Sequence, residues 1–157
     1  MDRDRARRHL AGASRPRAAV AGAVVALLAV ASVAFLAGLP VALTEFTGWL
    51  LVVPGVAVAA GVLGAGLVPA VGSLWLVGLW GYVFPPLVGY LSGEWAPAGR
   101  YTHPRMMGFA YGSARAELVG ALETSVGSGL VLAVVVGTVG YGVGAGLRWV
   151  ATRLSSS

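Results

Sequence analysis

The chain has 157 residues, 57% of them hydrophobic and 11% charged, with a mean hydropathy of +0.81. A soluble domain carries about 25% charged residues, so the composition excludes an ordinary water-soluble fold and points to a bilayer as the solvent for most of the chain. Cysteine is absent, which removes disulfides, thiolate metal sites, iron–sulfur clusters and cysteine nucleophiles together.

Residues 1–17 form a basic tail with arginines at positions 3, 5, 7, 8, 15 and 17. Arg7-Arg8-His9-Leu10 has a slight similarity to a twin-arginine export signal. The apolar run that follows exceeds the roughly 7–15 residues of a signal-peptide core, so an uncleaved first helix is expected. Charged residues then divide the chain: residues 18–44, 46–93 and 124–147 contain none. A helix crossing about 30 Å of hydrocarbon needs about 20 residues. The three stretches therefore hold one, two and one spans.

The first span is expected at about 18–39, ended by Gly38-Leu39-Pro40, because proline cannot continue the hydrogen-bond ladder. The second is placed at about 48–68 and the third at about 73–91, with a turn at Val68-Pro69-Ala70-Val71-Gly72-Ser73. The fourth is placed at about 125–148, followed by a short tail, 149–157. The expected fold is thus an all-α integral membrane protein with a single four-span domain over 18–148.

Orientation follows from arginine. With four spans both tails share a side and carry eight arginines, Arg148 and Arg153 included, against Arg100, Arg105 and Arg115 opposite. Both termini are expected to be cytoplasmic, in the cell membrane. The net charge of +5 therefore reads as topology and lipid contact rather than nucleic-acid binding, which needs a basic folded face. Phe46, Trp49, Tyr90 and Trp95 fall at the expected outer ends, and Trp75 and Trp149 at the inner ends, as interfacial aromatics should. Trp80 falls inside the third span, which requires either burial against a neighbouring helix or a different boundary. Lys, Asn, Gln and Ile are missing too, a bias that suggests a GC-rich prokaryotic genome.

The outer segment 92–124 is the one stretch with enough polar chemistry for a site. Ser92 to Pro104 is rich in loop formers. From Arg105 the residues Met107, Tyr111, Ala114, Leu118, Leu122 and Ser125 recur at helical spacing, which predicts an amphipathic helix lying in the outer interface, or an extension of the fourth span. Glu94, Arg100, His103 and Arg105 form the candidate ligand site, two guanidiniums suited to an anion and a histidine that titrates near neutrality. Set against this is the plain role of such residues in any exposed loop. No metal site is expected, since one histidine with scattered carboxylates fixes no ligand spacing, and no cofactor.

Pro85 and Pro86 remove backbone donors from the outer half of the third span. They predict a helix break or hinge, or a static kink. Small residues recur every four positions at Ala18, Gly22 and Ala26, at Gly129, Ala133 and Gly137, and at Gly140 and Gly144, as helix-packing seams do. Ionisable residues are absent from every span, which disfavours proton-coupled transport. No catalytic motif appears, and Ser32, Ser73, Ser128 and Thr138 lack a nearby base. The expected role is a non-enzymatic accessory, assembly or structural subunit, with the bilayer and either a second copy or another membrane protein as partner. A small transporter or channel component is the alternative, and an outer-leaflet enzyme using Glu94 and His103 ranks third.

Overall fold

The computed structural model describes residues 10–43, 45–97, 99–104 and 111–156. Among the described residues there are helices and no strands: α1 (Ser14–Leu36), α2 (Trp49–Leu63), α3 (Leu67–Ser92), α4 (Ala114–Thr124), a π-helical turn (Ser125–Gly129) and α5 (Leu130–Leu154). Three helical stretches are long and apolar enough to cross a membrane: α1, α3 and the continuous 41 residues from Ala114 to Leu154.

Contacts fix the helix directions. Ser32 and Phe35 of α1 meet Trp80 and Phe84 of α3 in the same order, so these helices run parallel. Ala57 and Val58 of α2 face Gly140 and Gly144 of α5, again in the same order. Val71 and Tyr82 of α3 approach Gly137 and Gly129, so α3 and α5 run antiparallel. The order is up, down, up, down, and it brings the start of α1 and the end of α5 to one end of the bundle. A cluster of Val20, Ala60, Ala65, Ala70 and Tyr141 closes that end.

The α2–α3 turn lies at Gly64–Gly66, not at residues 68–73. Gly64 has a φ of 70°, Gly66 one of 101°, and the Ala65 amide donates to the Ala60 carbonyl at 2.9 Å, the 6→1 bond of a Schellman C-cap. Pro69 is the third residue of α3, where an amide proton has no intrahelical partner to lose. The proline therefore starts a helix rather than ending one. Likewise Pro16 lies in the first turn of α1, which begins at Ser14, four residues ahead of the expected 18.

Of the two readings of the outer segment, its described helical part follows the second, an extension of the last span, rather than a separate interfacial helix. Ala114–Thr124 continues through the π turn into α5. At about 1.5 Å per residue the whole stretch measures about 60 Å, twice a hydrocarbon core, so its N-terminal part extends beyond one. A π turn shifts the hydrogen-bond ladder, and here the Trp75 indole donates to the Ser125 carbonyl at 3.1 Å.

The interior is built from aromatics at one level and small residues at another. Trp80 is only 8% exposed, and its indole donates to Ser32 Oγ at 2.8 Å, which in turn donates to the Leu28 carbonyl. Trp49, expected at the interface, is also buried and donates to the Val41 carbonyl at 2.9 Å. Trp49, Trp80, Phe84, Phe35 and Tyr101 form a chain of ring contacts with centroids 5.6–6.1 Å apart. The large aliphatic side chains Val25, Val30, Val33, Leu50, Leu51, Val131, Val135 and Val139 are exposed. That arrangement suits lipid, which is as apolar as leucine and offers no reason to hide it.

Candidate functional site

The end of the bundle opposite the chain's tails carries Gly93–Pro104 and α4, and here the polar residues collect. Ser113 caps α4, accepting from the Ala116 amide at 3.2 Å. This places Glu117 in the first turn of the helix, where the helix dipole favours a carboxylate. Glu117 is fully buried. Its Oε1 accepts from the His103 backbone amide at 2.9 Å and lies 2.6 Å from His103 Nδ1. His103 is itself buried, between the rings of Tyr82 and Tyr111, at centroid distances of 6.5 and 5.6 Å. The carboxylate thus fixes the ring's orientation and the position of its Nδ1 proton, as a carboxylate does for an oriented imidazole.

The other predicted site residues go elsewhere. Arg100 lies over the Phe35 ring, 4.4 Å from its centroid, and donates to the Phe35 carbonyl at 2.5 Å. It therefore joins the Gly38 amide in capping the C-terminus of α1, where the helix dipole favours a cation. Arg100→Gln is expected to lower stability by about 1–2 kcal/mol. Arg100→Lys should recover only part, because a point charge cannot both stack and donate in a plane; thermal unfolding in mild detergent would measure both.

Glu94 is exposed and accepts from the Tyr101 hydroxyl at 3.0 Å. This hydrogen bond raises the Tyr101 pKa above its ordinary value, desolvation and the Glu94 charge adding to it and Arg100 opposing. The bond needs the neutral phenol. Its contribution is complete below the ordinary tyrosine range near 10 and is lost as pH rises through the higher folded value. A spectrophotometric titration should show one late tyrosine that Glu94→Gln shifts downward.

Glu94, Arg100 and His103 are thus drawn to three separate partners, Tyr101, the end of α1 and Glu117. Arg105 lies outside the described residues, as do His9 and Met107. Pro85 and Pro86 are both buried, and α3 runs past them without interruption to Ser92. Among the described residues no three His, Asp or Glu side chains converge, the number a metal centre would need.

Glu117 is not among the candidate residues the sequence offers, and in a helix it flanks the stripe of Tyr111, Ala114, Leu118 and Leu122. The buried face of α4 is Glu117, Gly120 and Ala121, continued by Ser125, while Leu122 is exposed. The usable signal was size and polarity rather than hydrophobicity, since small and polar residues face protein in a membrane bundle. Comparison of the chain with models of protein families, with curated proteins and with solved structures found no match.

Proposed function

We propose that the chain is a four-span protein of the cell membrane, with both termini cytoplasmic, acting as a non-enzymatic accessory, assembly or structural subunit. The observation that carries this reading is the use made of the polar residues. Arg100, Glu94, His103 and Glu117 each tie one part of the fold to another, and residues 18–44, 46–93 and 124–147 contain no charged group. Among the described residues the polar groups so used serve to hold a shape.

The four-span count takes α2 as a span. Its 15 residues measure about 22 Å, short for a bilayer that can nonetheless thin locally. It is joined to α3 by a tight turn and lies along α5, which supports counting it with them as a span. Eight arginines at the end shared by the tails then favour the cytoplasm for that end.

Transport is the weaker reading, because the Pro85-Pro86 helix is continuous and presents no half-helix terminus to a substrate. An enzyme built on Glu94 and His103 is weaker again, since they have different partners. On α1 the outward residues Ala18, Gly22 and Ala26 leave a small-residue face for a second copy or another membrane protein. Purification in native nanodiscs with intact mass measurement tests the role. A stoichiometric assembly is the expected result, and a lone chain with no co-purifying protein would overturn it.

A further inference from the structure

Between α1 and α2 runs an open apolar groove of about 390 Å³, with Ala19, Ala23 and Leu27 on one wall and Val56, Ala59 and Leu63 on the other. It exists because three alanines stand where larger side chains would close the gap between the helices. One end of it is marked by charge. Arg15 precedes Ala19 by four residues, so Arg15, Ala19, Ala23 and Leu27 form one ridge of α1, and Arg15 is exposed. At the same end Leu63 is followed by Gly64, whose Cα lies against the Arg148 guanidinium, so closely that a Cβ there would overlap it. Arg15 and Arg148, from different segments, therefore both belong to the end of the bundle where the slot reaches Leu63. The described carboxylates, Glu45, Glu94, Glu117 and Glu123, belong to the opposite end of the bundle.

We propose that this groove holds one acyl chain of an anionic phospholipid, with the lipid phosphate facing Arg15 and Arg148. Guanidinium is the side chain best matched to phosphate. A mouth with two cations and, among the described residues, no carboxylate beside them favours a lipid of net negative charge over a zwitterionic one. The inference does not depend on the proposed function.

The test uses the full chain, delipidated and returned to nanodiscs holding equal phosphatidylglycerol and phosphatidylcholine, with retained lipid counted by intact mass spectrometry. One phosphatidylglycerol per chain is expected. Arg15→Gln should lower its retention about fivefold, the effect of one surface cation near anionic lipid. Ala23→Leu fills the groove and should abolish retention, while Ala21→Leu, two residues earlier and across the helix, should not. Circular dichroism and elution volume check that each variant is folded. Equal retention of the two lipids, or retention indifferent to Ala23→Leu, would reduce the lipid to ordinary annulus and overturn the proposal. A dimer mass that Ala23→Leu converts to monomer would overturn it too, by putting a second copy in the groove.

Discussion

Glu117→Ala is expected to destabilise the protein by about 2–5 kcal/mol, the cost of leaving two buried groups of His103 without their shared partner. The wild-type carboxylate is fully buried and its Oε1 serves both the His103 amide, at 2.9 Å, and His103 Nδ1, at 2.6 Å. Alanine would leave both groups buried without that partner and open a cavity beside His103. Glu117→Gln keeps a carbonyl oxygen in place and should recover more than half of the loss. His103→Ala makes the converse change, leaving a buried carboxylate without its ring partner, and a double-mutant cycle should show a coupling of about 1.5–3 kcal/mol. Denaturation in mild detergent, followed by tryptophan fluorescence, gives these values. Hydrogen exchange should rise first in residues 99–104 and in α4, because this pair fastens the loop to the helix. A Glu117→Ala protein within about 0.5 kcal/mol of wild type would show that the pair is not what holds this end together.

Charge spacing made the helical class and the long apolar stretches readable, because the cost of burying a charge in hydrocarbon is large and local. The α2–α3 turn was misread for a reason that applies widely. Proline has two meanings, helix end and helix start, and only the Gly64-Ala65-Gly66 run just before it tells them apart. Trp80 was recognised as anomalous from its position, and its partner Ser32 was among the hydroxyls noted, yet nothing in the sequence links residues 48 positions apart. The polar end was legible only as a collection of candidates. Arg100 and His103 are close in sequence, but one is claimed by a carbonyl of α1 and the other by a carboxylate of α4. Long-range partners of that kind decide what a polar residue does, and local pattern carries no trace of them. The seam at Gly140 and Gly144, by contrast, was visible as spacing, and the structure assigns it to the α2–α5 contact inside one chain.

That seam gives the second large effect. Gly144→Ala is expected to lower stability by about 2–3 kcal/mol, toward the upper part of the range for overpacking. A Cβ at Gly144 would overlap the carbonyl of Val58, and one at Gly61 would overlap the carbonyl of Tyr141. Both obstacles are backbone, so the helices themselves must separate, and close van der Waals contact is the main attraction available to them in lipid. Gly61→Ala combined with Gly144→Ala should therefore cost less than the sum, because the first methyl already moves the helices apart. Gly140 differs, since its Cβ would meet the Ala57 side chain at 2.5 Å. The loss in Gly140→Ala should be largely restored by Ala57→Gly, whereas no side-chain change at Val58 can restore Gly144→Ala. Gly142 and Gly146 are exposed, with nothing within 4 Å of a built Cβ, and alanine there should change stability by no more than about 0.5 kcal/mol. If alanine at Gly140, Gly142, Gly144 and Gly146 had the same effect at all four positions, the α2–α5 seam would not be a close backbone contact.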